Sequence, residues 1–449
     1  MKIALTTDSF VEGHGGVSTA VAALARCLRQ RGHQVMIYTA ADPSHKQMDL
    51  LDVVGFRALR YERFPGGRAP LAPIALVQEL ADFRPDVIHN HSMSAMGLQA
   101  LAAAHLLGIP VLGTCHVFLA GFLKYAPISL DGVPLTEDIA WKYTTAFFNR
   151  FPQVTTPSEA MRCELVTHGL RVPVMAISNG VDTDLFHPIP KTEIEASRPP
   201  VVLHVGRLGY EKRVDLVIRA FARLLDGFPA ARLVIVGDGP EKEELQALAT
   251  EKGISRQVDF VGEVPHEHLP AYYQQADLFV TASTIETQGL VVLEAMACGL
   301  PIAGVEAMAL PDLIQQDVNG IIASPNDEEQ LAFGMAHLLS SEKLCQEMGH
   351  ASHRMALKHS LSAVTQDYER LYRQAISQAP APLLQRIPQK LDPSIAWSSL
   401  HAEGQALIEA GVHQVWSISR ILQNWREDGF AEATNRIRNI VKRLPGRRE

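Results

Sequence analysis

The sequence predicts two α/β domains in tandem, each a parallel sheet with helices on both faces, followed by a helical C-terminal extension. Three observations predict this. Short apolar runs alternate with amphipathic helical patterns over roughly the first 360 residues, the signature of βαβ units. The pattern restarts after a Pro-rich, charged stretch from Phe186 to Pro200, whose composition suits an interdomain linker. A chain of 449 residues is also longer than one hydrophobic core ordinarily serves.

The first series opens with a strand from Lys2 to Thr7, a helix from Val17 to Arg31 and a strand from Gln34 to Tyr38, which together make one βαβ unit. Asp86 to His89, Pro110 to Thr114 and Gln153 to Thr155 read as further strands, each ending at polar residues. The second series has strands at Val201 to Val205, Arg232 to Val236, Val258 to Val261, Leu278 to Thr281 and Pro301 to Gly304. Helices fall between them at Val214 to Leu225, Lys242 to Lys252 and Gly289 to Ala297. The domains are therefore expected at 1–190 and 191–360, with Leu361 to Ser377 as a closing helix that returns to the first and 379–449 as a basic helical extension. Ligands of such folds sit at the carboxyl ends of strands and in clefts between domains.

Composition narrows the function classes. Apolar residues make up 47% of the chain and charged residues 20%, values typical of globular proteins. A net charge of −8, with no basic stripe on the body, argues against a nucleic-acid partner. The five cysteines are scattered and lack Cys-x-x-Cys spacing, so a reducing compartment is expected rather than a disulfide framework or a zinc site. The first apolar stretch is too brief for a signal-peptide core, and no later one approaches a membrane span. A cytoplasmic protein is expected, with peripheral attachment to the inner face of the membrane through its tail.

The sharpest local signal runs from Thr284 to Ala295. A strand ends near Ser283, a glycine-bearing turn follows and a helix begins around Gly289, so Glu286 lies in the loop and Glu294 about one and a half turns into the helix. Free N–H groups at such a helix start suit a diphosphate, and the flanking carboxylates suit sugar and ribose hydroxyls. Arg207 and Lys212 follow another strand end, where two cations can converge on a leaving diphosphate. Gly13-His14-Gly15-Gly16-Val17-Ser18 opens the first helix; its spacing is not the dinucleotide fingerprint, and Gly16 permits close backbone approach. His116 follows a strand end. His89 and His91 form an His-x-His pair without a visible third metal ligand, so His91 is read as lining the cleft and His89 as structural.

The stretch from Glu286 to Glu294 resembles the Glu-x7-Glu motif of retaining GT-B glycosyltransferases of the family 4-like group. The resemblance to this group also includes Ile177-Ser178-Asn179-Gly180-Val181-Asp182, Gly206-Arg207-Leu208-Gly209-Tyr210-Glu211-Lys212, Val236-Gly237-Asp238-Gly239-Pro240-Glu241 and Glu294-Ala295-Met296-Ala297-Cys298-Gly299-Leu300-Pro301, in this order along the chain. The resemblance spans roughly Met1 to Ser377 and implies a GT-B architecture, two Rossmann-like domains facing across a cleft. It implies a nucleotide diphosphate sugar, such as UDP-glucose, as donor. Arg207 and Lys212 would hold the diphosphate, Glu286 the sugar hydroxyls, Glu294 the ribose, and the amides of Gln288, Gly289 and Leu290 the sugar and phosphates. Gly16 and His116 would meet the donor from the other domain. The base would lie along Val261 to Val264, with Val261 and Glu263 among its contacts. The implied route is a front-face displacement with retention, a phosphate oxygen taking the acceptor proton and no metal or cofactor required.

The run Glu286-Thr287-Gln288-Gly289 resembles members that glycosylate diacylglycerol or related lipids, which favours a membrane-lipid acceptor; a soluble, cell-wall or polysaccharide acceptor is the alternative. A nucleotide-sugar epimerase and an inactive nucleotide-sugar-binding protein are the remaining readings. Phe118, Leu119, Phe122, Leu123 and Tyr125 form an apolar cluster that serves equally as a membrane contact or as core. The extension carries Trp397, Trp416 and Trp425, and ends in Arg436, Arg438, Lys442, Arg443, Arg447 and Arg448. From residue 395 onward it suits an anionic bilayer surface and, equally, packing on the protein's own body.

Overall fold

The computed structural model describes residues 1–8, 10, 15–40, 45–48, 51–56, 58–60, 68–70, 75–123, 129–130, 133–134, 136–190, 198–379 and 393–409. Two sheets dominate it. In space the N-terminal sheet runs Val174–Ala176, Val154–Thr156, Val111–Thr114, Val87–Asn90, Lys2–Thr7, Gln34–Ala40, Leu51–Phe56, His45–Met48. Seven strands are parallel, and the edge strand His45–Met48 pairs antiparallel. The C-terminal sheet runs Val258–Gly262, Arg232–Val236, Val201–Val205, Leu278–Val280, Ile302–Val305, Gly320–Ala323, all parallel.

The first strand shows why its run is continuously apolar. Ile3 and Leu5 enter a core with Val21, Leu24 and Leu28 of the helix Gly16–Gln30 and with Tyr368 and Tyr372 of the helix Leu361–Ser377. Ala4 faces the opposite core, built with Ile88, Leu101 and Phe147. A strand covered on both faces needs apolar residues at successive positions, not at alternate ones. The helix Leu361–Ser377 thus lies against the N-terminal sheet, although it follows the whole C-terminal series in sequence. Phe186 does not begin a linker: it is 1% exposed and packs in the C-terminal core, its ring 5.7 Å from that of Tyr273. Its aromatic area outweighs the neighbouring prolines that mark the segment as a connection.

Both sheets change winding direction beside their first strand. The C-terminal sheet grows one way from Val201–Val205 through Arg232–Val236, then resumes on the other side at Leu278–Val280. The N-terminal sheet does the same between Lys2–Thr7 and Val87–Asn90. Crevices open at the carboxyl ends of strands at such reversals. Gly16 and His91 follow the two strands at the N-terminal reversal, and Arg207, Lys212, Glu286 and Gly289 follow the two strands at the C-terminal one.

Beyond the closing helix, Pro393–Glu409 forms a further helix against Ala95–Leu107. Leu400 is buried there, and Glu403 accepts from His105 Nδ1 at 2.7 Å and pairs with Arg150. This part of the extension packs on the protein's own body; Trp416, Trp425 and the terminal basic cluster lie outside the described residues. Leu119 is buried, and Phe118 packs against Trp141 at 5.5 Å between ring centroids, so that portion of the apolar cluster is core. Tyr125 and the Phe122 side chain lie outside the described residues. None of the helices described is long and apolar enough to cross a membrane.

Candidate active site

The loop after Val201–Val205 is held by backbone against backbone. Gly206 N donates to Val236 O at 2.9 Å, Leu208 N to Asp238 O at 2.9 Å, and Glu241 N to Leu208 O at 3.1 Å. Gly237, at φ 138°, comes so close that a Cβ there would stand 1.9 Å from Gly206 O. This fixes Arg207 and the short helical turn Tyr210–Lys212 above the strand end. Arg207 is exposed and forms no ion pair with any described residue.

Lys212 Nζ donates to Glu286 Oε1, and the two side chains are only 23% and 14% exposed. Burial opposes ionisation of Glu286, but the Lys212 ammonium, the Ser283 hydroxyl and the nearby His204 outweigh it and hold the carboxyl below its usual range. His204 lies beneath this pair, fully buried, with Nδ1 against Val280 O at 3.0 Å. That carbonyl fixes Nδ1 as the protonated nitrogen, and burial pulls the ring's pKa to about 4, so Nε2 is a bare acceptor. Sequence reading missed His204, although a histidine inside the run Val-Val-Leu-His-Val was a visible anomaly.

Gly289, at φ 85°, caps the helix Leu290–Ala297, whose first N–H groups have no intrahelical acceptor. A Cβ on Gly16 would lie 3.8 Å from Leu290 Cδ1. The starts of the helices Gly16–Gln30 and Leu290–Ala297 therefore meet across the domain junction, each with a positive dipole end suited to an anion. Glu294 is 6% exposed and accepts from Tyr273 Oη at 2.7 Å, with His266 Nε2 at 3.0 Å from its other oxygen. Its hydrogen bond to His266 is the chief reason that the imidazole's pKa is raised. Val261 is 38% exposed at the end of its strand, and Glu263 just beyond it is exposed too. Among the described residues neither is hydrogen-bonded or ion-paired to Glu286, and both lie at or just beyond the end of a strand of the same sheet.

Gln288 spans the two domains. Its Oε1 accepts from Asn179 N at 2.9 Å and its Nε2 donates to Ser178 Oγ. The residue is 3% exposed and its side chain is committed to these bonds. On the N-terminal side His91 Nδ1 and His116 Nε2 stand 2.8 Å apart, with both rings over nine-tenths buried. Burial carries His116 to about 4, opposed by the side chain of Asn179, and carries His91 well below the usual histidine range. His89 is locked between Tyr372 Oη at 2.7 Å and Thr114 Oγ1 at 2.6 Å, which makes it a structural residue. Among the described residues no group of three or more His, Cys, Asp or Glu side chains is placed to hold a metal ion.

Residues 14–185 match the family described as Glycosyltransferase Family 4, and residues 188–355 match Glycosyl transferases group 1. The sulfoquinovosyl transferase of Arabidopsis thaliana is 30% identical over 76% of this chain and 67% of its own length. A GDP-mannose-dependent alpha-mannosyltransferase of Mycobacterium tuberculosis is 30% identical over 76% of this chain and 88% of its own. The chain belongs to this glycosyltransferase family. An alpha-monoglucosyldiacylglycerol synthase of Streptococcus pneumoniae is 27% identical over 72% of this chain and 75% of that protein. Among solved structures, sucrose-phosphate synthase of Thermosynechococcus elongatus superposes with a TM-score of 0.70 at 22% identity, covering 84% of this chain and 99% of that one. Anabaena HepE in complex with UDP gives 0.68 at 22% identity, over 83% and 100%. These likenesses establish the GT-B fold for this glycosyltransferase.

Proposed function

We propose that this glycosyltransferase moves a hexose from a nucleotide diphosphate sugar to a hydroxyl of a membrane lipid, with retention at the anomeric carbon and without a metal. The observation that carries the reading is the Lys212–Glu286 pair set beside two converging helix starts. In this reading Lys212, the exposed Arg207 and the amides of Gly289 and Leu290 neutralise the charge that grows on the diphosphate as the glycosidic bond breaks. Glu286 accepts hydrogen bonds from sugar hydroxyls and Glu294 from the ribose, the latter held in place by Tyr273 and His266. Gly16 and His116 close over the donor from the N-terminal domain, and the base lies along Val261 and Glu263. A phosphate oxygen receives the acceptor proton, so the reaction balances without a separate base.

The lipid acceptor is favoured by the relatives that are a monoglucosyldiacylglycerol synthase and a sulfoquinovosyl transferase. The test offers purified full-length protein UDP-glucose, GDP-mannose and ADP-glucose with chelator present, and diacylglycerol or a soluble glycan as acceptor. Transfer to lipid with an α-linked product from an α-linked donor is expected, with at least about a thousandfold loss in Glu286→Ala. Product on the glycan alone, inversion at the anomeric carbon, or full activity of Glu286→Ala would each defeat the part of the proposal it addresses.

A further inference from the structure

The site contains a second histidine that the transferase reading leaves without a task. His91 and His116 end adjacent parallel strands, whose register pairs His89 with Leu112 and Asn90 with Gly113. One hydrogen bond joins the rings, between His91 Nδ1 and His116 Nε2 at 2.8 Å. The rings stack at 25° with centroids 5.1 Å apart. Their outer nitrogens, His91 Nε2 and His116 Nδ1, are buried and make no hydrogen bond with any described residue. Asn179 lies near enough to favour a proton on His116, yet it does not complete a bond to Nδ1.

Two neutral imidazoles sharing one hydrogen bond have a fixed complement. If His91 Nδ1 carries the shared proton, His91 Nε2 is an acceptor and His116 Nδ1 a donor. If His116 Nε2 carries it, His116 Nδ1 is an acceptor and His91 Nε2 a donor. In either tautomer the pair presents one donor and one acceptor, and the two exchange roles together. Burial depresses both imidazoles' pKa values, which keeps this neutral form at ordinary pH. A phosphate oxygen would satisfy only the donor, and an ammonium only the acceptor. Hydroxyl groups, which donate and accept, satisfy both. The pair is tied to the diphosphate side of the site, because Asn179 binds Gln288 and Gln288 directly precedes the helix cap Gly289.

We propose that His91 is a second sugar-binding residue, acting with His116 as a coupled donor and acceptor pair that reads hydroxyls of the transferred hexose. This rests on the transferase reading above and deepens it. It adds recognition of the sugar from the N-terminal domain to that by Glu286, and leaves recognition of the nucleotide to the C-terminal domain.

The experiment measures, by calorimetry on full-length protein, the affinity for UDP-glucose relative to UDP and for GDP-mannose relative to GDP. In His91→Phe the extra affinity conferred by the sugar should fall by about tenfold or more, while affinity for the nucleotide alone stays within about twofold. His91→Gln, whose amide offers both a donor and an acceptor, should recover part of the loss, a recovery that a purely space-filling residue would not produce. His91→Ala provides a second loss variant should the phenyl ring disturb folding, each checked by its thermal midpoint. Unchanged sugar-dependent affinity in His91→Phe and His91→Ala would overturn the proposal while leaving the transferase reading intact. Loss of nucleotide affinity in equal measure would also overturn it, by making His91 a structural residue. Failure of the wild-type protein to bind any of the four probes, ADP or ADP-glucose would overturn the nucleotide-sugar reading on which the proposal rests.

Discussion

Replacing Lys212 with Met removes the ammonium facing Glu286 and keeps most of the side-chain volume. Removing one partner of a fully buried ion pair costs about 3–5 kcal/mol. Here Glu286 is 14% and Lys212 23% exposed, and the Ser283 hydroxyl remains as a donor. Solvent access reduces the expected cost to about 2 kcal/mol. For a domain the size of the C-terminal half, that lowers the thermal midpoint by about 4–8 °C. The effect depends on pH with a defined sign. In the wild type the folded pKa of Glu286 lies below its unfolded value, so the pair adds stability above that unfolded value and loses it as pH falls through the folded one. In Lys212→Met burial acts without the opposing ammonium and pushes the folded pKa up. The charged carboxylate then penalises the fold at neutral pH, and acidification through the raised pKa relieves the penalty. Scanning calorimetry of both proteins should therefore show a gap that narrows from about pH 8 to about pH 5. The double variant with Glu286→Gln should regain at least half of the lost stability at neutral pH. A gap that is absent, or constant across this range, would refute the view that Lys212 holds Glu286 in its charged form.

Gln288→Leu strips the half-buried Asn179 N–H of its acceptor, a loss of about 1 kcal/mol; amide exchange at Asn179 should rise by about tenfold or more while the strand Val201–Val205 stays protected. Glu369 accepts from Arg31 at 2.8 Å and pairs with His33, and chiefly the Arg31 bond draws its pKa down to about 2. Its contribution is present above its ordinary value of 4.5 and lost as pH falls toward about 2. Because Arg31 is 36% exposed, Glu369→Gln should cost only about 1 kcal/mol at neutral pH, and thermal melts should converge with wild type in acid. Gly237→Ala places a methyl group 1.9 Å from Gly206 O at a positive φ; a loss of about 3 kcal/mol or more is expected, read as a lower midpoint together with weakened UDP binding.

Much of the fold was legible because parallel strands covered on both faces must be continuously apolar, and the amphipathic helices between them declare their period. The strands at Leu51–Phe56, Val174–Ala176 and Gly320–Ala323 were missed. Leu51–Phe56 carries Asp52, whose carboxylate is answered by Arg29 at 2.6 Å from the neighbouring helix, so its charge masks a strand. Val174–Ala176 is three residues at a sheet edge with both alanine and methionine exposed, too short and too wet to show a pattern. Phe186 was misplaced because local proline content describes the backbone and says nothing of where a ring will find its cavity. Within the site, residues on loops after strands could be anticipated as a group, since the winding rule puts such loops in one crevice. Their pairings were not legible. Tyr273 reaches Glu294 from a different helix, and His266 reaches it from a segment 28 residues upstream, contacts that depend on tertiary placement and carry no local spacing.

The pairings also bear on how binding energy is used. Lys212 and Glu286 already satisfy one another, and Glu294 already holds two donors, so in the binding mode we propose a diphosphate and its hydroxyls would share or replace existing bonds and add few new ones. Exchange of this kind yields little net affinity per contact, because each new hydrogen bond is offset by one given up. It also keeps Glu286 charged and holds both carboxylates oriented before a ligand arrives, so reorganisation at the moment of reaction is small, the condition under which electrostatic stabilisation is most effective. The interdomain contacts extend the same logic. Gln288 to Asn179, Ala160 N to Asp312 at 2.9 Å, and Gly16 against Leu290 bring the two helix starts together through the protein's own bonds. In Gln288→Leu the Lys212–Glu286 pair is untouched, so nucleotide affinity should persist while the contribution of the N-terminal domain weakens. A variant that lost nucleotide affinity outright would show that domain contact and diphosphate binding are not separable in the way this geometry requires.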